Sequence, residues 1–237
     1  MPKTFFKLYG LDHSGSHYLA WLLNNNYKNV VMLHSHTGWN HGEIVTELTW
    51  NSSEWNHDKY EHNDKKEHGK ALKRERLNTG ESVLIYKNEI TELYQTKKLI
   101  LLCLIRNPYS WLNSFNIKHD KSYKTLEESL IRCRRVNLNY FNNTWPNKFL
   151  IKYETLRDDT KNSIEKIGKA VGLGEISKFK DTNSDVAKGG EFQRIDVTRE
   201  KCIENQSKHF NISKEKASEL IDKYITEELL SKYNRLP

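Results

Sequence analysis

Two short segments hold residue types that can grip an anion. The first, Gly10-Leu11-Asp12-His13-Ser14-Gly15-Ser16-His17, follows an apolar run and opens a helical pattern. Glycine lets a backbone wrap an anion, successive N–H groups point inward, and a helix start adds partial positive charge. His13, Ser14, Gly15, Ser16 and His17 are the candidate binding residues there. The second segment is Arg106-Asn107-Pro108-Tyr109-Ser110-Trp111-Leu112-Asn113-Ser114-Phe115. Arg106 ends a strand and Ser114 lies two turns into the next helix, so a guanidinium fork and a hydroxyl can converge on one phosphate. The alternatives are a plain glycine turn after a strand, and a surface arginine with a helix-facing serine.

The glycines share the G-x-x-x-x-G spacing of a nucleoside-triphosphate loop. Ser16, however, stands where that motif needs lysine, and His17 where it needs serine or threonine. Mg²⁺-dependent triphosphate chemistry therefore lacks both of its required side chains. Other histidines, including His34, His36, His57, His62 and His68, tempt a metal reading. No cysteine or carboxylate completes a ligand set around them, and no metal is expected.

Elements must place these segments. Residues 3–9 alternate and end in glycine, which predicts a strand. Over 16–24, Leu19, Leu22 and Leu23 fall at helical spacing. Residues 30–33 predict a second strand, leading to the histidine-rich loop 34–42. The very polar stretch 51–80 predicts an insertion or flap, with 69–77 as a solvated helix. A strand follows at 82–86 and a short helix or turn at 90–96. Residues 99–105 form the most apolar run and belong at the centre of a sheet. Asn107 as N-cap and Pro108 at the first helical position open the next helix. A helix at 126–141 and a strand at 148–153 precede a helix carrying Ile164, Ile167 and Val171, stopped by Gly172. Residues 175–211 read as irregular, and 214–232 as one last helix. Strands alternating with helices predict an α/β fold: a central, mostly parallel sheet flanked by helices, in a P-loop-like nucleotide-binding architecture, as one domain over 1–237.

Bulk properties narrow the class. A net charge of +7 favours anionic partners without naming one. Cys103, Cys133 and Cys202 form no C-x-x-C pair, so neither a disulfide framework nor a zinc site follows. The first residues lack the apolar stretch of a signal peptide, and 99–105 is too short to span a bilayer. The reading is a soluble, cytoplasmic protein without membrane or specific nucleic-acid partners.

The two anion-binding segments together resemble the cofactor motifs of the sulfotransferases that use 3′-phosphoadenosine 5′-phosphosulfate (PAPS). His13-Ser14-Gly15-Ser16-His17-Tyr18 is similar to that family's K-S-G-T-T-W loop for the 5′-phosphosulfate. Arg106 and Ser114, eight residues apart with R-N-P at the start, are similar to its 3′-phosphate motif. Lys152-Tyr153-Glu154-Thr155-Leu156 resembles its Y-E-x-L segment, and Val83 to Glu89 the strand bearing a catalytic K-x-H. The matches run in order over residues 6–173.

The resemblance implies PAPS as donor, adenosine 3′,5′-bisphosphate as product, and no metal. It places Lys87 beside the bridging oxygen of the donor and Tyr18 against adenine. Glu89 falls at the base position, with His41 as competitor, and His13 replaces the family's loop lysine. The acceptor, a small molecule or glycan with a hydroxyl or amine, is not readable. Two rivals remain at this point: a P-loop nucleotide or nucleoside kinase, and a non-catalytic polyanion-binding module, for which Arg132, Arg134 and Arg135 form a local basic patch.

Overall fold

The most apolar run of the sequence becomes an interior strand. In a computed structural model that describes residues 3–33, 40–48, 71–76, 82–118, 124–181 and 196–237, the sheet is built from β1 (Thr4–Gly10), β2 (Val30–Leu33), β5 (Ile100–Ile105) and β6 (Lys148–Lys152). Its order is β2-β1-β5-β6, and every pairing is parallel. β1 and β5 are therefore interior, with Phe6 opposite Ile100 and Gly10 opposite Leu104. A separate antiparallel pair joins β3 (Ala71–Arg76) to β4 (Ser82–Tyr86). The expected helix over 69–77 is thus replaced, where described, by a strand, because pairing with β4 overrides the helical propensity of Leu72 to Arg76. Most of the expected flap and the loop residues 34–39 lie outside the described residues.

Helices cover both faces. Even-numbered residues of β1, Phe6 and Leu8, join a cluster with Leu19, Leu22 and Leu23 of α1 (Ser16–Asn26), Leu156 of α5 (Tyr153–Asp158) and Ile164 of α6 (Thr160–Ala170). Odd-numbered Phe5 and Tyr9 join the other. That cluster holds Ile90 of α2 (Lys87–Gln95), Trp111 of α3 (Pro108–Lys118), Leu130 of α4 (Leu126–Asn142), Cys202 of α7 (Arg199–Phe210) and Ile221 of α8 (Lys214–Tyr224). This is the period-two alternation of a strand buried on both sides. The protein is accordingly an α/β fold with a central parallel sheet flanked by helices. Among the described residues, no helix is long and apolar enough to cross a membrane.

Two expectations about helices change. Part of the stretch expected to be irregular forms α7, started by Thr198, whose side chain accepts from the Lys201 N–H at 3.3 Å. The expected helix over 214–232 is broken into α8 and α9 (Glu227–Asn234). Thr226 makes the break by capping α9, its hydroxyl accepting from the Leu229 N–H.

Lys7 breaks the pattern of β1, being fully buried at 0% exposure on the face between Phe5 and Tyr9. Its Nζ donates to Asn40 Oδ1 at 2.6 Å and lies 5.2 Å from the Tyr9 ring centre. Burial holds its pKa well below the ordinary 10.5. In the window beneath 10.5 the unfolded chain then binds more protons than the folded one, so this group adds stability as pH rises. Lys7→Met is expected to flatten the rise of Tm between neutral pH and about 10, read by calorimetry across pH; an unchanged slope refutes it.

Candidate anion-binding site

The loop after β1 is shaped by two left-handed residues. His13 has φ 61° and Gly15 has φ 88°. The Ser14 N–H turns back to the Leu11 carbonyl at 3.0 Å, which tightens the loop before α1 begins. Gly15 is the N-cap of α1 and has no side chain with which to cap it. The first N–H groups of a helix lack intrahelical partners, and those of α1 begin at this loop. Ser14 is 1% exposed, and its Oγ has no hydrogen-bond partner among the described residues. That oxygen lies 2.5 Å from where a β-carbon on Gly10 would stand, so it sits inside the turn.

An anion cradle also needs its carbonyls turned away from the bound charge. Here two side chains from the Arg106 segment hold them. Arg106 Nη1 donates to the His13 carbonyl at 2.9 Å. Trp111 Nε1 donates to the Asp12 carbonyl at 2.7 Å. Trp111 was not a candidate in the sequence reading. Its only local signal is its place five residues after Arg106 on the helix that Asn107 caps. The cap itself forms as expected, with Asn107 Oδ1 accepting from the N–H of Tyr109 at 2.9 Å and of Ser110 at 3.2 Å.

The two segments share a floor. The Arg106 guanidinium stacks 4.8 Å from the centre of the Tyr153 ring. Gly15 rests on the same ring, since a β-carbon there would meet Tyr153 Cε2 at 2.7 Å. The neighbouring Glu154 is buried and accepts from two directions: the Asn107 N–H at 3.0 Å and the Tyr233 hydroxyl at 2.6 Å. Burial, and then this bond to the carboxylate, push the Tyr233 phenol up. Burial also lowers the Arg106 pKa from its ordinary value. Arg106 Nε has no hydrogen-bond partner among the described residues. The guanidinium thus keeps an unused donor in a poorly hydrated place, which favours a bound anion.

Other expected residues fall elsewhere. Ser114 is buried, but its hydroxyl donates to the Trp111 carbonyl at 2.5 Å. It must rotate off that carbonyl to donate to a ligand. Ser16 is buried in the first turn of α1, and His17 is exposed. Tyr18 lies in the core cluster of α1, and its hydroxyl donates to Asp181 Oδ1 at 3.0 Å. This is the core role rather than an open stacking face.

Neither expected base is placed for proton abstraction at the loop. His41 Nδ1 lies 2.6 Å from the Gly10 carbonyl. A carbonyl only accepts, so Nδ1 carries a hydrogen. His41 Nε2 faces Asp12 Oδ1 at 3.5 Å, so both ring nitrogens point at protein groups. Glu89 pairs instead with Lys3 Nζ at 3.7 Å, before the start of β1. Strands advance about 3.3 Å per residue, so the length of β1 separates Lys3 from the loop by about 20 Å. Lys87 is the first residue of α2, and its side chain lies outside the described residues.

Two of the three arginines of the α4 patch are engaged within the chain, while Arg134 Nε has no hydrogen-bond partner among the described residues. Arg132 pairs with Asp12 at 3.0 Å, and Arg135 with Glu43 at 2.8 Å. Among the described residues, no group of three or more His, Cys, Asp or Glu side chains is placed to hold a metal ion. No protein-family model matches the sequence, and no curated protein matches it.

Proposed function

We propose that the protein is a sulfotransferase, binding PAPS across the 10–17 loop and the Arg106 segment and transferring its sulfonate to a hydroxyl or amine of a small-molecule or glycan acceptor. The observation that carries this reading is the 2.9 Å bond from Arg106 Nη1 to the His13 carbonyl, which makes two anion-gripping corners into one continuous wall. The residues suit a doubly anionic nucleotide. Helix N–H groups and the Ser14 hydroxyl suit one end, and the Nε of Arg106, without a hydrogen-bond partner among the described residues, suits the other. When bound, the donor supplies the sulfonate, whose sulfur gains the acceptor oxygen or nitrogen as its bond to the bridging phosphate oxygen breaks.

In this reading the chain's own groups orient and neutralise. The loop N–H groups, Ser14 and Ser16 hold the 5′ end. Arg106, with Ser114 once its hydroxyl rotates, holds the 3′-phosphate. Charge developing on the leaving oxygen falls to the loop N–H groups, since Lys87 stands only two residues from Glu89 at the start of α2, away from the loop. The acceptor's proton is released to solvent as the new S–O or S–N bond forms. Tyr18 stays in the core and is not part of the cradle.

Thermal shift separates this from the kinase reading. Adenosine 3′,5′-bisphosphate is expected to raise Tm where Mg-ATP does not; stabilisation by Mg-ATP alone, or by neither, would overturn the assignment. His13→Lys adds a fixed positive charge at the loop and is expected to raise sulfonate transfer from PAPS several-fold, followed by product formation. A fall in rate would show that histidine has its own role.

A further inference from the structure

The loop carries a feature at odds with binding anions, the carboxylate of Asp12. A bare carboxylate within the turn would repel a phosphate or sulfate by Coulomb interaction, at a strength set by the local dielectric. The structure answers it from α4. Arg132 Nη2 lies 3.0 Å from Asp12 Oδ2 and donates to the His41 carbonyl at 3.1 Å. His41 in turn reaches Gly10 through Nδ1 at 2.6 Å and Asp12 through Nε2 at 3.5 Å. The Gly10 N–H donates to the Asn40 carbonyl at 2.9 Å, and Lys7 holds the Asn40 side chain at 2.6 Å. Tyr140, also on α4, fixes the Gly42 carbonyl at 2.9 Å. The side chains of Arg132, His41 and Asp12 are 15%, 20% and 22% exposed, so solvent screens this cluster less than a surface pair.

We infer that Arg132 is a positioning and charge-masking residue for the phosphate loop: it cancels the Asp12 carboxylate and, through His41 and Asp12, braces the turn from the side opposite Arg106 and Trp111. The same contacts that neutralise Asp12 leave the Asp12 carbonyl facing Trp111 and the Ser14 hydroxyl, unpartnered among the described residues, inside the turn. The ligand class is an anion with a terminal phosphate or sulfate group. The inference concerns how the loop tolerates that anion, and it rests on the anion-binding part of the function proposed above.

The two charges make opposite predictions. Titration calorimetry with adenosine 3′,5′-bisphosphate, and separately with inorganic phosphate, is run on wild type, Arg132→Met, Asp12→Asn and the double variant. Exposing the carboxylate in Arg132→Met is expected to weaken both anions about tenfold, as one charge at several ångströms does in a partly screened site. Asp12→Asn, which removes the negative charge at the loop, is expected to tighten them several-fold. The double variant regains most of what Arg132→Met loses, a rescue that a purely structural arginine would not give.

A second readout needs no ligand. The Trp111 indole N–H resonance, assigned with Trp111→Phe, is expected to shift in Arg132→Met as the Asp12 carbonyl moves. Unchanged affinity in Arg132→Met, a double variant as weak as the single, or an unmoved indole signal would overturn the inference. If Arg132→Met does not fold, the gain in Asp12→Asn decides. Wild type that binds inorganic phosphate but prefers ATP to adenosine 3′,5′-bisphosphate would sink the sulfotransferase reading and leave this one standing. Wild type that binds no anion would sink both.

Discussion

Arg106→Ala is expected to weaken binding of adenosine 3′,5′-bisphosphate at least about 25-fold, measured by titration calorimetry, and to lower Tm. The guanidinium does two jobs in one place. It turns the His13 carbonyl out of the cradle at 2.9 Å and stacks on Tyr153. It also brings a donor, Nε, that the described protein leaves unused. Losing a charge-assisted contact in a partly desolvated site costs about 2–5 kcal/mol, and 1.4 kcal/mol is a factor of ten. Arg106→Lys should recover little, because an ammonium cannot both hold the carbonyl and present a planar fork to phosphate. Ser114→Ala is the informative contrast. Its proton already rests on the Trp111 carbonyl at 2.5 Å, so its loss is expected to cost less than about fivefold in affinity, roughly one modest hydrogen bond. Equal losses in the two variants, or full affinity without Arg106, would refute this picture.

Gly15→Ala is expected to lower Tm by about 6–12 °C in scanning calorimetry and to abolish nucleotide binding, for a backbone reason and a packing reason. At φ 88° a side chain pays the left-handed penalty of about 1–2 kcal/mol. The added methyl would also stand 2.7 Å from Tyr153 Cε2 and 2.9 Å from Cδ2. Those ring atoms belong to a buried tyrosine, so they cannot swing away freely. Tyr153→Phe keeps the same atoms and should not relieve the clash. Tyr153→Leu in the Gly15→Ala background should recover part of the lost Tm. A Tm in Gly15→Ala equal to wild type would show that the turn is looser than its geometry states.

Much of the sheet could be read from apolar runs, and much of the site could not. Residues 99–105 announce an interior strand because nothing in them tolerates water. Asn107 and Pro108 announce a helix start because cap chemistry is local. Lys7 gives no such signal: nothing local marks this lysine as buried, and only the fold reveals the asparagine at position 40 that receives it. The helix α7 was hidden because Gln206 and Ser207 share its buried face with Cys202 and Ile203, which blurs the apolar period. Apolar spacing runs unbroken through Leu220, Ile221, Tyr224, Ile225 and Leu229, so the cap at Thr226 was masked. The expected base residues failed on distance and partners rather than type, since Glu89 is drawn to Lys3 and His41 to Gly10 and Asp12. Trp111 and Arg132 reach the loop across long stretches of chain, and no local spacing encodes such meetings.

The two-sided grip on Glu154 has a consequence for the order of folding. One of its oxygens braces the segment behind Arg106, while the other waits for Tyr233 in α9, the final helix of the chain. Until α9 docks, that acid group stays half bonded. The arginine corner therefore reaches its finished state only once α9, whose Tyr233 lies 79 residues beyond Glu154, has docked.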